Sequence, residues 1–254
     1  MEVTGLVLSL GEKSTQRAVE SLKKQTVPCK EIVVVENMSP FHRAMNKGIK
    51  KVKTPFFVQC DADMVLDPDC VETMLKFVRK DIGIIIGYLN DDLLGRIQAV
   101  KMFRSECSKH VRFSNHVSPD TDYIYRLKQK GWDCCFARRQ KSRSDHKPEV
   151  LGAHKPEYTP LYTYEKFKLE GSRMRDRGVF QEFLGYIDKL GKNPHPMAPV
   201  ALVGICQGIV SARSKDGLMR YKKKKDFKLF EQYMNSKKVR GDFLISRNNA
   251  KEES

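Results

Sequence analysis

The sequence predicts an α/β fold with a doubly wound, mostly parallel sheet. Short apolar runs alternate with helical patterns throughout the first 90 residues, in the order strand, helix, strand. The runs are rich in β-branched residues, which is typical of strands buried on both faces of a parallel sheet. Polar residues follow the runs, at the edge where such sheets bind ligands. A length of 254 residues suits one such domain with an extension.

Each element of the first half has its own signal. Residues 14–25 are predicted to form a helix because Ala18, Val19 and Leu22 recur at helical spacing. The run EIVVVE predicts a central strand at 31–36, and FFVQC predicts another at 56–60. The remaining strand predictions are 3–10 and 82–86, and the remaining helix predictions are 41–52 and 69–79.

The chain beyond residue 157 is predicted to be helical and basic. Residues 163–177 and 180–190 carry helical patterns rich in Lys, Arg and aromatic residues. Residues 197–210 form an apolar run of 14 residues that contains Pro199, Gly204 and Gly208. That run is shorter than the 18 to 20 apolar residues of a membrane span, so we expect a buried or interfacial helix.

Composition narrows the function classes before any motif is considered. The chain carries 47 Lys and Arg against 31 Asp and Glu, for a net charge of +16, with 40% hydrophobic residues. Enough apolar side chains are present for a folded core, which excludes a wholly disordered chain. The N-terminus lacks a basic stretch before its apolar run, and the seven cysteines include no CxxC pair. We therefore expect no signal peptide and a cytoplasmic protein with reduced thiols.

Two carboxylates emerge where a buried strand is predicted to end. Asp61, Ala62 and Asp63 follow FFVQC directly, and residues two apart in an extended segment share a face. A carboxylate pair at this edge suits a hard divalent cation that also binds phosphate oxygens. An isolated DxD is more often a solvated loop or a helix cap, but its place after a buried strand favours the metal site.

Three segments resemble the family 2 glycosyltransferases, which are nucleotide-sugar-dependent enzymes of the GT-A fold. They are ESLKKQTVPCKEIVVVEN (20–37), AMNKGIKKVKTPFFVQCDADMVLDPD (44–69) and SPDTDYIYRLKQKGW (118–132), in the order of the family. The resemblance implies a catalytic domain at 1–157, with a donor-binding part at 1–100 and an acceptor and base part at 101–157. Residues 158–254 would be a helical extension.

The resemblance implies a donor site at the ends of the first three strands. Glu36 stands where the family usually has the Asp that contacts the ribose, and Arg43 and Asn46 fall on the helix that faces the diphosphate. Asp63 would be the direct metal ligand, with Asp61 contacting ribose or the metal through water. The full set of expected donor contacts is Ser9, Leu10, Glu12, Glu36, Arg43, Asn46, Asp61, Ala62 and Asp63.

Asp120 takes the position of the family's general base. It would deprotonate the acceptor hydroxyl as that oxygen attacks the anomeric carbon, and a single displacement would invert the anomeric centre. The other interpretation is a helix cap, because Asp is favoured at helix N-termini. Asp122, at the start of the same helix, is expected to be a structural or acceptor contact, and Trp132, just beyond its end, is expected on the acceptor side.

A histidine is the further metal ligand that the resemblance implies. His146 and His154 both belong to an HKPE repeat, so either can be aligned with the family's position, and we prefer His154. An imidazole ligand favours Mn2+ over Mg2+, which prefers oxygen. The expected cofactor is therefore a divalent cation, with Mn2+ preferred.

The basic, aromatic residues beyond 157 leave the partners open. The expected partners are a nucleoside-diphosphate sugar and a saccharide or lipid-linked acceptor, with peripheral membrane contact through the basic part. A nucleic-acid-binding protein is the alternative from another class, but acidic strand ends repel a phosphate backbone. A nucleotidyltransferase shares the fold class, yet no Gly-rich basic loop follows the first strand.

Overall fold

The computed structural model describes residues 1–116, 118–137, 150–177 and 180–211. Within these ranges eight strands form one sheet. The strands are β1 (Val3–Ser9), β2 (Glu31–Glu36), β3 (Phe56–Asp61), β4 (Met64–Leu66), β5 (Ile82–Asp91), β6 (Gly95–Arg104), β7 (Asp133–Phe136) and β8 (Val150–His154). The helices are α1 (Thr15–Lys23), α2 (Phe41–Ile49), α3 (Cys70–Leu75), α4 (Cys107–His110), α5 (Pro119–Lys128), α6 (Pro160–Arg177), α7 (Phe180–Gly191) and α8 (Ala198–Val210).

The strand order is β2-β1-β3-β6-β5-β8-β4, with β7 beside β5. Strands β2, β1 and β3 are parallel, so their carboxyl ends lie at one edge of the sheet. Strand β6 runs antiparallel to both β3 and β5, while β5 is parallel to β7 and β8. The short β4 pairs antiparallel with β8. The sheet is therefore mixed, with its parallel part on the donor side that the sequence predicts.

Apolar side chains pack on both faces of the sheet. One face buries Leu22 and Met74, from α1 and α3, against the sheet. The other buries Met45 from α2 and Tyr123 from α5, with Phe103 of β6 between them. Burying each large apolar side chain contributes roughly 1.5–3 kcal/mol, which explains why helices are held on both sides. The two-sided arrangement confirms the predicted α/β class.

Helices α6, α7 and α8 form a third apolar cluster together with the β5–β6 hairpin. Phe167 of α6, Leu190 of α7 and Ile205 of α8 are buried there against Leu93. Helices α6 and α8 approach so closely that a Cβ on Gly208 would meet the carbonyl oxygen of Lys168. The apolar run at 197–210 thus forms a helix that buries one face in this cluster. Across the described residues, no helix combines the length and apolar character needed to cross a membrane.

The sequence predicted β1, β2, β3 and β5 but missed the other four strands of the sheet. Strand β5 extends to Asp91 rather than ending at 86, and β4, β6, β7 and β8 were not predicted. The helix predicted at 69–79 is the shorter α3, and the helix headed by Asp120 begins at Pro119. The basic run at 222–225 lies outside the described residues. The domain boundary at 157/158 stays a prediction.

Candidate active site

The ends of β1, β2 and β3 bring the predicted donor residues to one edge. Strand register aligns Ser9 with Glu36 and Leu8 with Asp61. Glu36 is exposed, and the chain turns beyond it at Asn37, which has a φ of 53°. The amide of Asn37 donates to the carbonyl of Ser9 over 2.9 Å, which joins the two strand ends. Side chains from neighbouring parallel strands therefore face the same opening, as the sequence predicts.

The loop after β1 is fixed by one carboxylate. Oε2 of Glu12 accepts hydrogen bonds from the Ser9 hydroxyl at 2.9 Å and from the Leu10 amide at 2.6 Å. The Ser9 hydroxyl in turn lies 2.7 Å from that of Thr15, at the start of α1. Leu10, the residue after β1, is apolar and 62% exposed. Glu12 thus shapes the loop, while Leu10 lines its open side.

Asp61 and Asp63 occupy different environments although they are two residues apart. Oδ1 of Asp61 accepts a hydrogen bond from Gln59 over 2.9 Å. Burial raises the pKa of Asp61 to about 6, against the effect of that hydrogen bond, and the charges of Asp63 and Asp120 raise it further. Between the two carboxylates, Ala62 is buried, and its amide donates to Leu8 of β1. The DxD is thus anchored to the sheet by its middle residue.

His154 lies directly against Asp63. Its Nε2 is 3.2 Å from Oδ2 of Asp63, and its Nδ1 is 2.6 Å from Oδ2 of Asp91. Burial opposes protonation of His154, but its hydrogen bonds to Asp63 and Asp91 outweigh burial and raise its pKa to about 9. Strand register causes this meeting, because His154 pairs with Met64 of β4 on one side and with Asp91 of β5 on the other. The preferred histidine therefore reaches the DxD, while His146 lies outside the described residues.

Asp91 organises this corner and was missed by the sequence reasoning. It is 1% exposed, and its Oδ2 also accepts the Tyr158 hydroxyl at 2.7 Å. Its Oδ1 accepts the amides of Leu93 and Leu94 at 2.8 and 2.7 Å. The available signal was an Asp within the end of an apolar run, but the run was predicted to stop at residue 86. Asp91 connects β5, β8 and the segment leading into α6.

The candidate base is paired with a buried lysine. Oδ2 of Asp120 lies 2.7 Å from Nζ of Lys101, whose side chain is only 10% exposed. Oδ1 of Asp120 is buried and accepts no hydrogen bond within the described residues. Lys101 is aligned with Gln59 across the β3–β6 pair, so the base and the DxD are supported by adjacent strands. No role was predicted for Lys101, because its role depends on an ion pair with a residue of another element.

The roles expected for Asn46, Asp122, Trp132 and Arg43 stay predictions. The side-chain amide of Asn46 donates to the carbonyl of Phe113 at 2.8 Å and accepts from the Phe113 amide at 3.1 Å. Asp122 accepts from Ser114 and Arg126, and this supports the structural alternative for it. Trp132 directly precedes Asp133, which pairs with Ile82 at the start of β5. Asp91 ends the same strand, so Trp132 and Asp91 are on the order of 30 Å apart. Arg43 is exposed on α2.

Helix α6 and the segment before it cover the DxD corner with aromatic rings and one lysine. Nζ of Lys166 lies 5.1 Å from the ring centroid of Tyr158 and 5.6 Å from that of Tyr162. Burial, together with the negative charges of Asp63, Asp91 and Glu12, raises the pKa of Tyr162 to about 12. The start of helix α6 is therefore close to the DxD corner.

The site offers two ligands that are spaced for one cation. Ligand atoms at neighbouring positions of an octahedral ion with bonds of about 2.1 Å are separated by roughly 3 Å. Asp63 Oδ2 and His154 Nε2 are 3.2 Å apart and meet this condition. No cluster of three or more acidic, Cys or His side chains suited to a metal occurs among the residues that the structure describes. The pair thus fits an ion whose other ligands are phosphate oxygens and water.

Comparison with known proteins supports the family resemblance. Residues 39–136 match the model of glycosyl transferase family 2, a span that includes Asp63 and Asp120 and ends with β7, before His154. Among curated protein sequences, none matches the chain.

Solved structures show the fold. A mannosyltransferase of Pyrobaculum calidifontis, PcManGT, in complex with GDP-Man and Mn2+, is similar at 12% identity and a TM-score of 0.51, over 100% of this chain and 88% of that one. TarS (residues 1–349) of S. aureus aligns at 14% identity and a TM-score of 0.44, over 96% and 80% of the two chains. Glucosyl-3-phosphoglycerate synthase of Mycobacterium tuberculosis aligns at 12% and 0.43, over 68% and 79%. The chain therefore has the GT-A fold, and its residues 39–136 match the model of glycosyl transferase family 2.

Proposed function

We propose that the protein transfers a sugar from a nucleoside-diphosphate sugar to an acceptor hydroxyl, with the help of a divalent cation. The observation that carries this proposal is the Asp63–His154 pair, 3.2 Å apart, beside the carboxyl ends of β1 and β3. The strand ends can hold a nucleoside while the pair recruits its diphosphate. PcManGT, which shares the fold, was solved with GDP-Man and Mn2+, and this is consistent with such a donor.

Asp63 and His154 would hold the metal, with Asp61 nearby through water. When bound, the cation neutralises charge that develops on the leaving diphosphate. His154 must lose its proton at Nε2 to act as a ligand. The proton at Nδ1 stays on the ring, because Nδ1 donates a hydrogen bond to Oδ2 of Asp91. A neutral imidazole in the set favours Mn2+ over Mg2+. This arrangement supports the preference for manganese.

Asp120 would accept the proton of the acceptor hydroxyl. The oxygen then attacks the anomeric carbon as the bond from that carbon to the phosphate oxygen breaks, so the electron pair leaves with the diphosphate. One displacement inverts the anomeric centre. Lys101 holds Oδ2 of Asp120, and the side chain of Asp120 is 32% exposed, so its carboxylate is both fixed in position and open to an acceptor. General-base help of this kind typically contributes about 10² to 10⁴ in rate.

The acceptor and the location belong to the same proposal. A saccharide or a lipid-linked saccharide is the acceptor class, and the protein would work in the cytoplasm, in peripheral contact with a membrane. Leu161 of α6 and Val203 of α8 are 73% and 62% exposed on an otherwise basic part of the chain. Apolar side chains among cations favour an anionic lipid surface.

Thermal-shift measurements test the proposal with the purified full chain. UDP, GDP, CDP, ADP and dTDP, and their common sugar derivatives, are added with and without Mn2+. A ligand present at 100 times its Kd should stabilise the folded state by about 2.7 kcal/mol. Asp63→Ala should lose the Mn2+-dependent part of the shift, while Asp188→Ala, exposed on α7, should keep it. If none of these nucleotides stabilises the wild-type protein, the proposal is refuted.

Product analysis separates sugar transfer from the nucleotidyl transfer considered for the sequence. The nucleotide that stabilises the protein is supplied as its sugar derivative with Mn2+ and candidate saccharide acceptors. Release of the nucleoside diphosphate together with a glycosylated acceptor supports the proposal. Release of inorganic diphosphate from a nucleoside triphosphate and a sugar phosphate would instead identify a nucleotidyltransferase.

A further inference from the structure

Lys166 has surroundings that packing alone does not explain. Its ammonium group lies over two tyrosine rings, at 5.1 Å from the centroid of Tyr158 and 5.6 Å from that of Tyr162. Within the described part of the chain it forms no ion pair and no hydrogen bond. Two rings fix the position of the charge, because cations are attracted to aromatic faces. They leave its three N–H donors without an acceptor among the described side chains, and Nζ is open to solvent or to a ligand.

A continuous set of contacts ties this ammonium to the metal corner. Tyr158, which carries one of the two rings, donates its hydroxyl to Asp91 over 2.7 Å. The same Asp91 oxygen lies 2.6 Å from His154, whose other ring nitrogen lies 3.2 Å from Asp63. Lys166 is therefore positioned by the same side chain that positions the proposed metal ligand.

The environment of Lys166 opposes its charge. Burial lowers the pKa of Lys166, and the negative charges of Asp91 and Asp63 act against that decrease. A partly buried ammonium has lost part of its hydration, and a bound anion can return that free energy. Among the described residues, the neighbouring carboxylates Asp63 and Asp91 are engaged with His154, so neither pairs with Lys166 and a bound anion can take that place.

We infer that Lys166 binds the phosphate oxygens of the donor diphosphate, on the side opposite the metal. The inference rests on the proposed function and adds a specific residue to it. Charge supports it, because the two positive charges of a divalent cation are already matched by Asp61 and Asp63. The diphosphate brings further negative charge, and another negative charge develops when the sugar leaves. A fixed ammonium provides the counter-charge at that point.

Lys168 gives a matched control on the same helix. Its Nζ also lies near a tyrosine ring, 5.2 Å from the centroid of Tyr164. It differs from Lys166 in having a carboxylate neighbour, Oε1 of Glu165 at 3.9 Å, and its side chain is 35% exposed. Replacing either lysine by Met removes one charge and keeps the length of the side chain. Only Lys166 should matter for a diphosphate.

Isothermal titration calorimetry tests the inference with the full chain and Mn2+ present. The probes are the nucleoside diphosphate that stabilises the wild-type protein and its parent nucleoside. Lys166→Met should weaken binding of the diphosphate by about 10- to 100-fold, the value of a charge-assisted hydrogen bond. It should leave nucleoside binding within about twofold, and Lys168→Met should change neither. Lys166→Arg should recover part of the lost affinity.

Titration with Mn2+ alone distinguishes phosphate binding from general damage to the corner. Removing a positive charge near Asp63 should leave Mn2+ affinity unchanged or increase it. Equal diphosphate affinity in the wild-type protein and Lys166→Met would overturn the inference and leave the proposed function standing. A parallel loss of Mn2+ or nucleoside binding would also overturn it, since Lys166 would then only support the fold. A wild-type protein that binds none of the diphosphates would refute the proposed function itself.

Discussion

Replacing Asp91 by Asn should weaken the metal site without touching a proposed ligand. Oδ2 of Asp91 faces two groups, Nδ1 of His154 at 2.6 Å and the Tyr158 hydroxyl at 2.7 Å, while Oδ1 accepts two backbone amides. An Asn has one oxygen for these two sides. If the oxygen serves the backbone amides, the Asn amino group points at Nδ1, which must then act as an acceptor. The proton moves to Nε2, and the lone pair that would bind the metal is lost.

The opposite orientation of the Asn amide is no better. Its oxygen would then face His154, but its amino group would meet the amides of Leu93 and Leu94, so donors would face donors. Each buried polar group left without a partner costs about 1–3 kcal/mol. The first orientation leaves fewer donors without acceptors, so we expect it to predominate, with a loss of stability and a 10- to 100-fold loss of metal affinity. That loss corresponds to about 1.4–2.8 kcal/mol of binding free energy.

The decrease of the free Mn2+ signal in electron paramagnetic resonance measures this affinity directly. The titration is carried out on folded protein, verified by circular dichroism, with and without the nucleoside diphosphate. Tyr158→Phe is the matched variant, since it removes one hydrogen bond to the same oxygen and leaves the His154 tautomer unchanged. It should alter Mn2+ affinity by less than about threefold. A folded Asp91→Asn protein with wild-type Mn2+ affinity would refute the reasoning.

Three further substitutions test other parts of the site. Asp120→Asn should lower kcat by about 10² to 10⁴ in a steady-state transfer assay while donor binding is retained, and an unchanged kcat would exclude it as the base. Lys101→Met removes the 2.7 Å partner of Asp120 and should lower kcat at least about tenfold with unchanged donor affinity; equal losses in both would indicate a structural role. Gly152→Ala should lower the free energy of unfolding by about 3 kcal/mol in urea titrations, because φ is 146° there and a Cβ would collide with the backbone of β4. Gly95→Asn, at a φ of 65° with open space around it, should change that free energy by less than about 1 kcal/mol, and equal effects at the two glycines would contradict the argument.

The parallel strands were predictable because their sequences carry the physical cause of their burial. Residues 56–60 form a nearly continuous apolar run, as a strand covered on both faces requires. Residues 31–36 form the predicted strand, but β2 is the edge strand and mostly half-buried, so the prediction that it is central was wrong. Strand β6 was missed because its sequence, GRIQAVKMFR, places Lys101 in an otherwise buried stretch. The ion pair with Asp120 compensates for the burial of that ammonium group. A local sequence pattern does not show pairing between elements. Strand β4, with three residues, is too short to show a period.

Some residues of the candidate site could likewise be predicted from local sequence, and others could not. Asp61 and Asp63 were found because a carboxylate pair after a strand has local meaning. The preference for His154 depended on the family resemblance, and the structure brings this histidine to Asp63 through the register of β4, β5 and β8. Asp91 could not be found from the sequence, because its partners lie 63 and 67 residues away. Long-range hydrogen bonds decide such roles, and the sequence does not specify them locally.

The net charge of +16 also could not be interpreted from the sequence alone. Counted in the sequence, the cations beyond residue 156 suggested a basic surface for an acceptor or a membrane. In the structure, Arg173 pairs with Glu170 at 3.3 Å, and Arg175 donates to carbonyl groups at the end of α8. Lys166 turns toward the DxD corner, two residues from Lys168, which lies beside Glu165. One helix thus uses its cations for packing, for exposed pairs and for the site, so charge becomes evidence of function only once its partners are known.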